Sequence, residues 1–192
     1  MSSFLTEEEI EKLHLKRCGK DVHISRNAVF YSPEHIEIGD HVRIDDFCFV
    51  SGGVGICIGD YVHIAAYSAL YGAHGIQIGN YVNISSRVNI YSTSDDYSGE
   101  YLTGPMVESK YIHDVGETIM IEDMVIVGAG TIILPGTKLE QGVAIGAMSL
   151  VKTEGPAYTI YAGIPAKFIK NRSKNMLKLL EEMKDKSHEK NN

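Results

Sequence analysis

From residue 36 onward, aliphatic side chains return at every sixth position in runs of three. They stand at Ile38, Ile44 and Val50; Ile58, Ile64 and Leu70; Ile78, Ile84 and Ile90; Ile121, Val127 and Ile133; and Leu139, Ile145 and Val151. An amphipathic helix needs apolar residues three and four apart, and a half-buried strand alternates by two. A period of six suits neither. It suits a short strand plus a corner, three per turn, with one aliphatic side chain from each side directed into a triangular prism. A longer repeat overlies the short one: IEIGDHVRIDDFCFVSGGVG (36–55), ICIGDYVHIAAYSALYGAHG (56–75) and IQIGNYVNISSRVNIYSTSD (76–95) are three copies of a 20-residue unit. Each copy is three sixes plus two, and the extra pair (Val54-Gly55, His74-Gly75, Ser94-Asp95) is expected to widen one corner of each turn. Gly39, Gly59 and Gly79 follow a lead residue, where a corner needs close approach or positive φ. The pattern predicts an all-β solenoid, a parallel β-helix whose coils bury their apolar residues only by stacking on neighbours.

The rhythm breaks once. YSTSDDYSGEYLTGPMVESKYIHD (91–114) carries no six-residue period, and the repeat restarts as IMIEDMVIVGAGTIILPGTK at 119–138. The expected organisation is an N-terminal helical segment over 1–20, a β-helix domain over 21–172 with an inserted loop at 96–118, and a C-terminal helix over 173–192. In the first segment Thr6 is an N-cap and Glu9, three residues on, completes a capping box. The last segment starts at Ser173 and places Met176, Leu179, Leu180 and Met183 on one face. Both short α-helices are natural caps for the solenoid ends or contacts between copies.

Composition narrows the function. The net charge is −7, which disfavours nucleic acid as a partner. Cys18, Cys48 and Cys57 form neither a pair set nor a CxxC motif, so a reducing cytoplasmic location is expected. No apolar run is long enough for a membrane span, and the acidic start MSSFLTEEEIEKL is not a secretory signal.

The six-residue pattern, the restart VGAGTIILPGTKLEQGVAIGAMSLV and the closing YAGIPAKFIKNR resemble the hexapeptide-repeat acyltransferases, in the branch of galactoside- and xenobiotic-type sugar acetyltransferases. The resemblance covers roughly residues 22–172. It implies a left-handed β-helix, a homotrimer with sites in the clefts between subunits, and acetyl-CoA as co-substrate along the C-terminal coils. Carried residue by residue, it implies cofactor contacts at Ala129 (VGAG) and Ala147 (IGAM), with Lys152, Lys167 and Arg172 toward the phosphates. Small residues suit such a tether because it must touch backbone. No metal is expected: the histidines lack the paired spacing that the zinc-dependent carbonic anhydrase branch requires.

The resemblance also implies that the interruption is a loop over the acceptor site, preceded in galactoside-type enzymes by a catalytic His. Here that slot holds Asp95, followed by Asp96. Stacking of the 20-residue units puts His74 one coil below Ser94 and Asp95, and places His63 on another outward corner. A His beside a carboxylate is oriented and made more basic, so His74 or His63 is a candidate base with Asp95 or Asp96 as partner. His113 is a further candidate if the loop folds back. Asn83, Arg87, Tyr97, Tyr101 and His113 are candidate acceptor contacts, the tyrosines as walls for a sugar ring. The aspartates could instead brace the turn into the loop as Asx motifs. An amine acceptor needs a weaker base than a hydroxyl does. The expectation is therefore N-acetylation of a nucleotide-linked amino sugar for lipopolysaccharide or another surface polysaccharide. Sugar O-acetylation is the alternative. A non-catalytic scaffold and a zinc enzyme are rivals of other classes.

Overall fold

The computed structural model describes residues 3–152 and 154–189; the outer ends of the expected terminal segments, 1–2 and 190–192, lie outside them. The repeats wind into coils with three strands each. The second coil, for example, is Ile36–Ile38, Arg43–Ile44 and Phe49–Ser51, and the third is Ile56–Ile58, His63–Ile64 and Ala69–Tyr71. Corresponding strands pair in parallel from coil to coil, making three sheets along the prism. The register is one-to-one: Ile38 pairs with Ile58, Ile58 with Ile78, Ile78 with Ile121 and Ile121 with Leu139.

All fifteen lead residues are buried, none more than 4% exposed. Fully burying one such side chain contributes roughly 1.5–3 kcal/mol, so the stacked rows are the main source of cohesion. A second inward row at the corners is shorter: Val42, Val62, Val82, Val125 and Val143, each at most 1% exposed. Short side chains fit there because the corner brings the backbone close to the prism axis.

The extra pair of the 20-residue unit does not widen a corner. The corner between Ser51 and Ile56 holds four residues, like that between Ile38 and Arg43. The two residues instead lengthen the flanking strands from two to three, which adds an inward row at Ile36, Ile56, Ile76 and Ile119, all fully buried. Two more residues per turn are thus used to bury another isoleucine. The glycines after the lead positions serve close approach alone: a Cβ on Gly59 would meet the Gly79 carbonyl oxygen at 2.8 Å. Positive φ falls two residues later, on His41, Tyr61 and Tyr81, at 57° each.

The IGD, IGD, IGN series has its own reason. The side-chain oxygen of Asp40 accepts the Lys20 N–H at 2.8 Å, Asp60 accepts Asp40 N–H at 2.8 Å, Asn80 accepts Asp60 N–H at 2.7 Å, and Asp123 accepts Asn80 N–H at 2.7 Å. Each coil's acidic or amide residue therefore satisfies a corner donor of the coil before it. Aromatic rings stack along the rod in the same way, Tyr61 on Tyr81 at 4.8 Å and Tyr71 on Tyr91 at 4.8 Å.

The N-terminal helix is only Glu7–Glu11, with the Thr6–Glu9 capping box formed. The first coil begins at Arg17–Cys18, earlier than the boundary expected at residue 21, because Arg17 pairs with Glu37. At the other end Thr159–Ala162 joins the second sheet and Lys167–Asn171 returns antiparallel to it, through a turn with a cis Ile164–Pro165 bond. The C-terminal helix runs Asn175–Glu189, and Leu179 and Met183 on its apolar face are exposed.

Candidate active site

The loop leaves the rod at Ser92. This residue is fully buried; its hydroxyl donates to the Tyr71 carbonyl and accepts the His74 N–H, both at 2.8 Å. Beyond it, Thr93–Asp95 pairs antiparallel with Asp114–Gly116, so the insertion starts its excursion three residues before the expected position 96. Glu117 N–H closes the base on the Ser92 carbonyl at 3.0 Å, and Ile119–Ile121 then stacks directly on Ile76–Ile78. The rod continues as though nothing had been inserted.

Between this strand pair and the loop lies a cleft of about 480 Å³. Asp95 and Tyr97 line it with Tyr91, Thr93, Asp114 and Leu134. Of the residues expected at the acceptor site, Asp95 and Tyr97 meet here. Asp96 turns into the loop. Its carboxylate accepts the Ser98 hydroxyl at 2.7 Å, and that bond together with loop backbone N–H groups holds its carboxyl below the usual aspartate range. This is the Asx-type bracing of a turn.

His74 does not stack beneath Asp95. Its ring packs against Gly116, where any Cβ would collide with it. The coil-to-coil register stops holding once the chain departs at Ser92, so the position that stacking would assign to Ser94 is filled by the returning strand. His63 has a carboxylate partner, but it is Asp45 and neither aspartate of the loop: Nε2 lies 2.8 Å from Asp45 Oδ2, and Nδ1 lies 3.1 Å from Asn83 Oδ1. Burial pushes the Asp45 carboxyl up, but hydrogen bonds from His63 and Arg43 outweigh it and leave the group lowered. His63 and Asn83 sit on the second strand of their coils, whereas the loop springs from the third, which separates them from Asp95 within one chain. Arg87 lies over the Tyr67 ring at 5.2 Å. His113 packs its ring against Tyr101 at 5.1 Å, tilted by 35°, within the loop.

Toward the C-terminus, Gly128 and Gly146 form a column so close that a Cβ on Gly146 would meet that of Ala162 at 2.8 Å. Ala129 and Ala147 lie beside them, and Ala129 accepts the Met148 N–H at 2.8 Å. Lys152 and Lys167 are exposed at this end, each close in sequence to a backbone bond, since Ala166 N–H donates to the Leu150 carbonyl at 2.8 Å. Arg172 has a different task from the phosphate contact expected. Its Nη1 donates to the carbonyls of Met124 (3.1 Å), Gly142 (2.9 Å) and Val143 (3.3 Å), and burial lowers its pKa. The antiparallel return of Lys167–Asn171 brings it over that corner.

Sequence reasoning missed Thr93, Asp114 and Asp45. A signal for Asp114 did exist: an insertion that leaves an unbroken rod must return where it left, so the last polar residues of the loop face the first.

No protein-family model matches the chain. It is 47% identical over 178 residues to the dTDP-4-amino-4,6-dideoxy-D-glucose acyltransferase of Escherichia coli, covering 92% of this chain and 93% of the relative. Its fold matches AntD, an N-acyltransferase from Bacillus cereus, in a serine-to-cysteine variant complexed with dTDP-4-amino-4,6-dideoxyglucose and coenzyme A: TM-score 0.93, 42% identity, 97% of this chain and 99% of the other. AntD in complex with dTDP and 3-hydroxybutyryl-CoA matches with TM-score 0.94 at 42% identity over 98% of this chain and 100% of AntD. A hexapeptide-repeat acetyltransferase from Vibrio cholerae, at 21% identity, TM-score 0.58 and coverage of 88% and 82%, shares the fold.

Proposed function

Since the chain belongs to the hexapeptide-repeat acyltransferases, enzymes built on a left-handed β-helix, we propose that it transfers an acyl group, acetyl in the first instance, from a CoA thioester to the amine of a dTDP-linked 4-amino-4,6-dideoxy sugar. The observation that carries the reading is Asp95 on the wall of the loop cleft, in a chain 47% identical along nearly its whole length to an acyltransferase for that sugar. An amine bound as ammonium gives a proton to the Asp95 carboxylate. Its freed lone pair then attacks the thioester carbonyl and the new C–N bond forms; as the C–S bond breaks, the second nitrogen proton passes to the departing sulfur, which leaves an amide and the CoA thiol. A backbone N–H at a corner suits the transient oxyanion.

Further support comes from AntD, in which a serine and an aspartate ten positions apart have been replaced in turn. Ser85 precedes Asp95 by the same interval. Ser85 is half-buried on the coil before the loop and is a second candidate contact to the acceptor. Ala129, Ala147, Lys152 and Lys167 suit the CoA tether and phosphates. His63 with Asp45, and the Tyr67–Arg87 stack, lie on other faces, so a role for them at the site requires a neighbouring copy. The uncovered apolar face of the C-terminal helix and the resemblance to trimeric enzymes support a homotrimer. The substrates support a cytoplasmic enzyme serving surface polysaccharide, since nucleotide sugars and CoA thioesters are cytoplasmic metabolites.

The test is thiol release from acetyl-CoA with dTDP-4-amino-4,6-dideoxyglucose against its 4-hydroxy counterpart. Release with the amine alone, and a product resistant to mild base as an amide is, are expected. Release with the hydroxyl sugar alone would establish O-acylation instead.

A further inference from the structure

We propose that Asp114 is a second acceptor-binding carboxylate, set opposite Asp95 to hold the acceptor's ammonium group and to reject a hydroxyl at the same carbon. The inference rests on the reading of the protein as an amine acyltransferase.

The antiparallel ladder at the base of the loop makes Asp95 and Asp114 direct partners, and both line the cleft. Like charges directly opposed on an antiparallel pair destabilise it. Among the described residues neither carboxylate has a hydrogen-bond or ion-pair partner to offset that repulsion. The neighbouring Asp96 shows the contrast, since the loop uses its charge. A separate observation points to the same place. Thr93 lies two residues before Asp95, hence on the same face of its strand, and lines the same cleft. Its hydroxyl oxygen is buried without any partner among the described residues, and buried polar atoms are otherwise almost always hydrogen-bonded. One face of this short hairpin thus presents two unpaired carboxylates to one cavity, beside a buried hydroxyl that has no partner of its own.

An ammonium group matches that set. It has three N–H donors and one positive charge, so it can donate to both carboxylates while relieving their repulsion. When Asp95 takes one proton, Asp114 keeps the nitrogen in place for attack. A hydroxyl has a single donor and no charge. It would leave one carboxylate unpaired beside the other, and a site built to satisfy polar groups discriminates against the ligand that cannot satisfy them.

Asp114→Asn in the full chain tests this. The KM for the amino-sugar nucleotide is expected to rise about 10- to 100-fold, what one hydrogen bond to a charged group contributes, with kcat changed less. Calorimetric binding of the 4-hydroxy nucleotide sugar should be unchanged or tighter. The melting temperature without ligand should hold or rise, because a like-charge pair has been removed, and Asp114→Glu should recover part of the lost affinity. Three results would overturn the proposal: an active Asp114→Asn enzyme with unaltered KM, equal losses for the amine and hydroxyl ligands, or a variant that unfolds. A wild-type enzyme that acylates no amino sugar would instead sink the functional reading on which the proposal rests.

Discussion

The two adjacent aspartates at the start of the loop have opposite assignments, and strand alternation is the reason. Asp95 is the last residue of a paired strand and faces the cleft; Asp96 lies past the ladder, where its carboxylate gathers loop donors. Asp95→Asn should therefore lower kcat by about 10²- to 10⁴-fold, the usual worth of a positioned proton acceptor, with a melting temperature that holds or rises because the like-charge pair with Asp114 is gone. Asp96→Asn should act on the loop: faster amide exchange over residues 96–101 and a higher KM, with kcat nearly kept. The sign with pH follows from the lowered carboxyl. Its contribution to loop order is present above the ordinary aspartate range and is lost as pH falls through the lower folded value. Acid should loosen the loop in the wild-type protein and have no such effect in Asp96→Asn.

At the scale of the element, each side of a coil is two or three residues of strand and four of corner, too short to stand alone. Its stability lies in the rows. Ile84, fully buried between Ile64 and Val127, is such a link, and Ile84→Ala should cost about 2–5 kcal/mol, read from chemical denaturation. The N-terminal helix is secured differently. Glu9 caps its own helix and pairs with Arg26 at 2.6 and 2.7 Å, and these bonds lower its carboxyl from 4.5 to about 2. A depressed carboxyl stabilises above its unfolded pKa and loses that stabilisation as pH falls through the folded value. Glu9→Gln should thus weaken docking of the helix at neutral pH and match the wild type near pH 2, as limited proteolysis at the N-terminus across that range would report.

The whole molecule is a rod with one loop, and its exposed features sit in rows along the rod. The Tyr61–Tyr81 and Phe47–Tyr67 stacks and the apolar face of the C-terminal helix leave rings and methionines in solvent in a single chain. Sedimentation equilibrium should give a particle of three chains. Removal of residues 175–192 should shift it toward smaller species while circular dichroism keeps the β signal. A chain that stays monomeric at micromolar concentration would leave His63, Asn83 and Arg87 without access to the acceptor.

The period of six determined the fold by itself, because a row of aliphatic side chains buries itself only if each coil lies in register on the last. The same logic made the interruption visible and directed attention to Asp95. It stopped at Ser92. Beyond that point the residues obey a hairpin's pairing rules and no longer the stack's, so the packing of His74 against Gly116 and the facing of Asp95 by Asp114, nineteen residues later in the chain, had no periodic trace. The partners of His63 and Arg172 were hidden for a related reason. A side chain at a corner can reach a neighbouring coil or the returning C-terminal strand, and only the closed geometry of the rod decides which polar groups are left unmet there. Sequence periodicity specifies what must be buried together; which charges end up face to face depends on where the chain comes back.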